Sequence, residues 1–345
     1  MVTDAGCGQS VRDIHTGPVA YRFEFNETIP DGIRRIAYEQ LDKACDQLNA
    51  ARSGEIEEAV HDVRKRCKQL RGLVRLVRPA LKKSDARQAN AAFRDAARQL
   101  ASLRDAHALL ATFDALVAAH VAEIPSDGIW EVRQGLAARA ESASGDAAGF
   151  DAQIQRARDL LEAGRSRVGS WTLGNKFAYI CAGVIKTYKR GRKRLKDSRE
   201  QPSDSNLHEW RKRVKDFWYH MQILRDAAPS MLSPLADRLH DLSDVLGDDH
   251  DLAVLTCQLM SCPNEFGGDG KVNEALAIIC SRRADLQRRA FRLGARLYVE
   301  RPSAFADRIA GYWQVWQELG EELPAGEIAT LAPPSDDLDM VSLYP

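Results

Sequence analysis

Residues 60–83, VHDVRKRCKQLRGLVRLVRPALKK, contain two interleaved patterns. One pattern recurs at alternating steps of three and four positions and is entirely basic: His61, Arg64, Lys68, Arg71, Arg75, Arg78 and Lys82. A second pattern follows the same steps, two positions out of phase, and is apolar: Val63, Cys67, Leu70, Val74, Val77 and Leu81. At about 100° per residue, an α-helix places the two patterns on nearly opposite faces. The stretch therefore predicts an amphipathic helix with one core-facing side and one cationic side.

The basic residues are unevenly distributed, although Lys plus Arg and Asp plus Glu both total 49 in the 345-residue chain. Residues 60–83 hold nine Lys or Arg against one acid, residues 186–199 hold eight against one, and residues 309–345 hold none. Like charges at i,i+4 destabilise a helix by about 0.2–0.5 kcal/mol per pair, so exposed helix faces usually mix signs. The first basic stripe is also about 30 Å long at about 1.5 Å per residue. Stripes of one sign and this length predict a linear anionic partner.

The 3.6-residue period continues through most of the chain, and period-2 alternation is almost absent. The sequence therefore predicts an all-α protein, with helices over about residues 31–50, 53–83, 84–121, 128–141, 150–167, 171–196, 207–227, 232–261, 271–300 and 303–323. The segment YRFEFN at residues 21–26 is a candidate short strand. Polar residues 1–20 predict a flexible N-terminus, and acidic residues 324–345 predict a disordered tail. No window approaches the roughly 20 apolar residues of a membrane span, so we expect no membrane contact.

Two sequence elements occur twice, in the same order. The pattern HxxRKRxK begins at His61 and again at His208, a shift of 147 residues. The element LRDAHAL at residues 103–109 is matched by LGDDHDL at residues 246–252, a shift of 143. Chance similarity between amphipathic helices would rarely reproduce both elements at nearly the same spacing. The repeat therefore predicts a duplicated helical unit, with a first half over about residues 21–168 and a second half over about residues 169–323.

These repeated elements resemble the CHAD family, the conserved histidine α-helical domain. The resemblance covers about residues 21–323 and includes a Tyr-basic-x-x-Arg run that begins at Tyr188. It implies two pseudo-twofold-related bundles of about four helices each, and non-catalytic binding of inorganic polyphosphate in a basic groove or pore between them. Transferred by motif, it implies polyphosphate-binding residues in both halves: His61, Arg64, Lys65, Lys68, Arg71, Tyr188, Lys189, Arg192, His208, Arg211, Lys212 and Lys215.

The two halves differ beyond the shared motif. Arg75 continues the basic stripe of the first half and is a further candidate for polyphosphate binding. The second half has Trp218 and Tyr219 where the family often continues with arginine. This difference predicts either a less basic groove at that point or a ligand contact from the Tyr219 hydroxyl. Trp210 falls on the apolar stripe, which predicts a core position.

Two other functions agree with part of the sequence. HD dipeptides begin at His61, His240 and His250, and histidine with aspartate supplies the metal ligands of HD-type phosphohydrolases, which would act on a phosphoanhydride. Adjacent helix residues point about 100° apart, however, and His208 is followed by Glu209 rather than by aspartate. The basic stripes also suit a non-specific nucleic-acid-binding scaffold, although the repeated basic helices lack the interleaved exposed aromatics that stack on bases.

The interpretation favoured by the sequence is a stand-alone CHAD-type protein that is not an enzyme. The chain has no P-loop, GxSxG or HExxH motif, so we expect no catalytic residue, cofactor or metal site. We expect inorganic polyphosphate as the partner, a cytoplasmic location and an association with polyphosphate granules. Nucleic acid is the weaker partner hypothesis, and the sequence makes no prediction of oligomeric state.

Overall fold

The computed structural model describes residues 21–51, 56–100, 105–119, 126–143 and 147–320. In these ranges the chain is helical and contains no β-strand, which confirms the all-α prediction. The helices are α1 (Ile29–Ala50), α2 (Ile56–Val77), α3 (Lys83–Gln99), α4 (Asp105–Ala119), α5 (Ser126–Ala143), α6 (Ala147–Gly169), α7 (Ala178–Glu200), α8 (Asp204–Leu224), α9 (Pro229–Ser261), α10 (Asp269–Leu297) and α11 (Pro302–Leu319). The predicted flexible N-terminus and the predicted acidic tail lie outside the described residues.

Four helices of the first half close into a ring around an apolar core. α1 packs on α2 and α6, and α3 packs on the same two helices. The apolar face predicted for α2 points into this core, since Val63, Leu70 and Val74 are at most 2% exposed. Burying one such side chain contributes about 1.5–3 kcal/mol, so this face is sufficient to fix the orientation of α2. The opposite, cationic face is thereby turned away from the core.

The second half is built from α7, α8, α9 and α10, which pack consecutively, with α11 against α7. α4 and α5 pack on each other and then on α9 and α10 respectively. Trp210 is fully buried here and stacks on Phe291 with the ring centroids 5.7 Å apart, which confirms its predicted core position. That the two groups of helices are duplicates about a pseudo-twofold axis stays a prediction. No helix in the described part of the chain is long and apolar enough to cross a membrane.

Four predicted segments differ clearly from the structure. The helix predicted over residues 171–196 begins only at Ala178. The helix predicted over residues 84–121 is two helices, α3 and α4. α2 ends at Val77 rather than near residue 83, because Pro79 has no N–H and its ring clashes with the carbonyl four residues earlier. The candidate strand at residues 21–26 is wrong, since these residues are irregular and the Phe23 N–H donates to the Ile223 carbonyl at 3.0 Å. Their alternating pattern reflects buried side chains packed on helices rather than a sheet.

α7 reaches the first ring through a close backbone approach at Gly183. A Cβ atom at this buried position would lie only 1.9 Å from the carbonyl oxygen of Leu76 in α2. Such a contact with backbone cannot be relieved by a side-chain rotation. The absence of a side chain at Gly183 therefore allows α2 and α7 to pack closely. This contact forms part of the junction between the two groups of helices.

Replacement of this glycine should loosen the junction. We expect Gly183→Ala to lower the free energy of unfolding by about 1–3 kcal/mol, because the added methyl group forces α7 away from α2. Urea unfolding followed by circular dichroism measures the change. Gly311→Ala in α11 is the matched control: its Cβ would meet nothing within 4 Å, so it should stabilise the helix by about 0.5–1 kcal/mol. Equal stability of both variants would contradict the close approach.

Candidate functional site

The basic faces of α2 and α8 meet where the two groups of helices join. α2 contacts both α7 and α8, and it approaches α8 closely at Gly72, where a Cβ would lie 3.1 Å from the Tyr219 side chain. The buried His220 ring donates its Nε2–H to the Gly72 carbonyl at 3.0 Å. Tyr21 donates its hydroxyl to the Gln69 carbonyl at 2.8 Å. The His220 bond fixes the register of α2 against α8, and the Tyr21 bond ties the segment before α1 to α2.

Two cavities open along this junction. The smaller one, of about 320 Å³, is lined by α2 and α8 residues: Lys68, Arg71, Arg75, His208, Arg211, Lys212, Arg213, Lys215, Asp216 and Tyr219. The larger one, of about 670 Å³, is also lined by α3 and α7: Val74, Arg75, Arg78, Lys83, Ala86, Arg87, Asn90, Arg190, Lys193, Arg194, Glu209 and Arg213. Arg75 and Arg213 line both cavities. We call the two cavities together the basic groove.

Asp216 lines the smaller cavity beside Arg75 and Arg213, the two residues that both cavities share. Its side chain is 8% exposed, and its carboxylate pairs with Arg75 Nη1 at 2.8 Å and with Arg213 Nη1 at 3.0 Å. Burial raises the pKa of this carboxyl, and the neighbouring guanidinium groups of Arg75 and Arg213 oppose the rise. The carboxylate thus holds one arginine from each group of helices in a fixed position on the groove wall.

The positive charges of other groove residues are less fully balanced by nearby carboxylates. Burial, reinforced by Arg211, lowers the pKa of Lys215 to about 8, although Asp244 and Asp251 favour its charged form. Burial and the adjacent Arg75 lower the pKa of Arg71 to about 10. Both side chains remain mainly protonated at pH 7, at an electrostatic cost. An anion in the groove would reduce that cost.

His208, which lines the smaller cavity, packs against a second histidine. His208 of α8 and His250 of α9 lie with their ring centroids 4.2 Å apart. Burial is the main cause that lowers the pKa of each ring to about 4, and neighbouring cations, including Arg211 for both rings, add to it. For His250, the carboxylates of Asp249 and Asp204 oppose the shift. Within the described residues, His208 Nδ1 and Arg211 Nε are buried without a hydrogen-bond partner. The two repeated elements of the second half therefore meet at this point.

The sequence and the fold identify the family. A family model of the CHAD domain matches residues 35–259. The chain belongs to the CHAD domain family. The crystal structure of the CHAD domain from the plant Ricinus communis matches with a TM-score of 0.54 at 18% sequence identity, covering 82% of this chain and 96% of that chain. No curated protein matches this chain. At this level of identity the structural match shows the CHAD fold alone, and it confirms the predicted resemblance.

Eight of the residues predicted from the CHAD resemblance and the basic stripe line the smaller cavity together: Lys68, Arg71, Arg75, His208, Arg211, Lys212, Lys215 and Tyr219. Tyr219 is 3% exposed and packs edge-on against Tyr21 with the ring centroids 6.0 Å apart. The remaining site predictions fall elsewhere.

His61, Arg64 and Lys65 lie on α2 before the turn that reaches α8. Within the part of the chain that the structure describes, none of the three lines either cavity. Tyr188 is in the core, stacked on Phe305 at 4.6 Å, and its hydroxyl donates to the Glu300 carbonyl at 3.3 Å. This position does not support the predicted contact with a ligand in the groove.

The basic run of α7 does reach the groove, but through residues that the motif did not select. Lys189 and Arg192 are absent from the described linings of both cavities, and Arg192 Nη1 donates to the Glu300 carbonyl at 3.1 Å. Arg190, Lys193 and Arg194 line the larger cavity instead. Their i, i+3, i+4 spacing places them on one helix face and was the signal for this set. Arg78, Lys83, Arg87, Asn90 and Arg213 were also absent from the predicted site.

The HD dipeptides do not form a common centre. His240 Nδ1 pairs with Asp244 at 2.6 Å on the exposed side of α9, whereas His250 packs on His208. In the part of the chain that the structure describes, no group of three or more His, Cys, Asp or Glu residues is arranged to hold a metal ion. The geometry therefore gives the phosphohydrolase hypothesis no observation in its favour.

Loss of the Asp216 charge should destabilise the junction. In Asp216→Asn, two largely buried guanidinium groups lose their shared partner, and we expect the free energy of unfolding to fall by about 3 kcal/mol. Chemical denaturation measures the loss. Asp241→Asn, which breaks the exposed pair with Arg238, should change the free energy by well under 1 kcal/mol. A result in which both variants unfold alike would show that Asp216 does not support the groove.

The histidine pair should make the stability of the fold depend on pH. Histidine in an unfolded chain titrates near pH 6.5, whereas His208 and His250 titrate at about 4 in the folded state. Between these two values the unfolded state binds more protons than the folded state. The contribution of the two neutral histidines to the free energy of unfolding is therefore complete above about pH 6.5 and is lost as the pH falls towards 4. His208→Gln should flatten the pH dependence of the unfolding free energy in this window. An unchanged slope would contradict the shifted pKa.

Proposed function

We propose that this protein binds inorganic polyphosphate in the basic groove without cleaving it. The observation that carries the proposal is the shared wall of the two cavities, where Arg75 of α2 and Arg213 of α8 face both spaces. Four helices contribute cations to one continuous surface, and they come from both groups of helices. A linear polyanion can follow such a surface, whereas a compact phosphate ester would occupy only one of the two cavities.

The chemistry of the lining suits a repeating phosphate chain. Arginine offers a planar fork of donors that can bind two phosphate oxygens, and lysine supplies a mobile point charge. Both types alternate along the groove, for example Lys68, Arg71 and Arg75 on α2. Partial burial lowers the local dielectric and strengthens each contact relative to an exposed one. Such a surface binds through charge and spacing and does not read a base sequence.

The compensation of charge also favours an anionic ligand over a purely structural role. Lys215 and Arg71 have lowered pKa values, which shows that the acids around them do not fully offset their burial. Phosphate oxygens would supply the missing negative charge. As part of the same proposal, the protein is cytoplasmic and its groove retains it on polyphosphate granules.

A salt-dependent titration tests the binding site. Fluorescently labelled long-chain polyphosphate is titrated at several salt concentrations against wild type, Lys68→Gln/Arg71→Gln and Arg211→Gln/Lys215→Gln. Each lost contact with a single-stranded polyanion reduces the slope of log K against log[salt] by about 0.7, so each double variant should lose about 1.4 from the slope and bind roughly tenfold more weakly near 0.15 M salt. Similar losses from α2 and α8 would support one shared site.

The matched control is Arg156→Gln/Arg158→Gln on α6, whose guanidinium groups hydrogen-bond Gln99 and Asn49 outside the groove. It removes the same charge and should bind as wild type does. If both groove variants also bind as wild type does, the proposed site is wrong. If single-stranded RNA of equal charge displaces polyphosphate at equal concentration, the ligand preference is wrong. Phosphate release on prolonged incubation would contradict the non-catalytic assignment.

A further inference from the structure

The basic run of α7 has a second exposed face that the groove does not use. Arg190, Lys193 and Arg194 line the larger cavity. At about 100° per residue, Lys196 and Arg199 lie on the far side of the helix from Arg190 and Arg194. Arg192 shares that far side, and Lys189 lies on the face between Lys193 and Lys196. We define the outer patch as Lys189, Arg192, Lys196 and Arg199 of α7 together with Arg292 and Arg296 of α10.

The outer patch is one surface because α7 and α10 pack closely beneath it. Arg199 Nη2 donates to the carbonyl of Phe291 in α10 at 3.2 Å. A Cβ at Gly294 of α10 would lie 3.3 Å from the Leu195 side chain of α7. Between the two helices lies a shallow cavity of about 330 Å³, lined by Arg199, Phe291, Arg292, Ala295 and Arg296. Arginines from both helices therefore border the same space.

The outer patch carries far more positive than negative charge. All six of its cations are exposed: Lys189, Arg192, Lys196, Arg199, Arg292 and Arg296. Within the described part of the chain, the ion pair in this patch is Lys196 with Glu200 at 3.6 Å, and both side chains are more than 60% exposed. Like-charged neighbours at i,i+3 and i,i+4 repel, as do Arg292 and Arg296 here. A surface of this kind is complementary to an extended anion.

We infer that a polyphosphate chain longer than the basic groove continues over the exposed side of α7 and onto the outer patch. The inference rests on the proposed function. Lys193 borders the groove, and Lys189 and Lys196 follow it around the helix surface, so the path between the two regions is basic throughout. A helix with its side chains is about 10–12 Å across, so only a chain that extends beyond the groove by about that length can reach Arg292 and Arg296. The outer patch thus makes the protein selective for long chains.

Polyphosphates of two lengths test the inference. The short chain is chosen to saturate the groove without extension, and the long chain has several times its length. We expect Arg292→Gln/Arg296→Gln to leave short-chain affinity unchanged and to weaken long-chain binding roughly tenfold near 0.15 M salt, with a loss of about 1.4 from its salt slope. Arg156→Gln/Arg158→Gln should bind both chains as wild type does. Circular dichroism and thermal unfolding establish that each variant is folded.

The groove variant Arg211→Gln/Lys215→Gln separates this inference from the function on which it rests. If it weakens both chains while the outer-patch variant binds the long chain as wild type does, the groove proposal stands and the extension is wrong. If the groove variant binds both chains as wild type does, the proposed function itself is wrong. If the outer-patch variant retains long-chain binding but loses binding to phosphatidylserine vesicles, the patch contacts an anionic lipid surface and the extension is overturned.

Discussion

The buried carboxylate of Asp216 allows two basic helices to share one groove. Arg75 of α2 and Arg213 of α8 approach it at 2.8 Å and 3.0 Å. Two unscreened cations about 4–6 Å apart would repel each other by roughly 3–4 kcal/mol at an effective dielectric constant of 20. That is a large fraction of the roughly 5–15 kcal/mol by which a domain is stable. The close backbone approaches at Gly72 and Gly183 are therefore compatible with a cationic junction only because an acid is buried within it.

The compensation by Asp216 is local, and other cations of the groove keep an unbalanced positive charge. Asp216 neutralises the shared wall, but burial still lowers the pKa of Lys215 to about 8 and that of Arg71 to about 10. Native packing positions these cations before any ligand arrives, and a bound anion would restore their charge balance. A ligand that binds only the folded state also stabilises it by mass action. Under the proposed function, affinity and stability would therefore depend on the same residues.

The sequence predicts the faces of helices well and their ends and partners less well. The 3.6-residue period identifies the buried side of α2 because burial of Val63, Leu70 and Val74 imposes that period directly. Residues 21–26 show the opposite case. Apolar and polar residues also alternate in an irregular segment that packs one side against helices. Phe23 packs in this way on Trp313, with the ring centroids 5.1 Å apart. No local signal in the sequence separates such a segment from a β-strand. The break between α3 and α4 likewise had no proline to mark it.

The contrast between helix faces, which the sequence predicts, and helix partners, which it does not, also explains which groove residues could be predicted. The basic stripes lie on the faces of α2 and α8 that line the groove. In the described residues, only the part of the α2 stripe opposite α8 does so, because a crossing point depends on packing between distant segments. On α7 the transferred motif and the helical period disagree. Tyr188 precedes Arg190 by two positions, which is about 200° of rotation, so the two side chains cannot line one cavity. The structure follows the period: Tyr188 is in the core and Arg190 lines the groove. A motif locates the helix, and the period decides which of its residues line the groove.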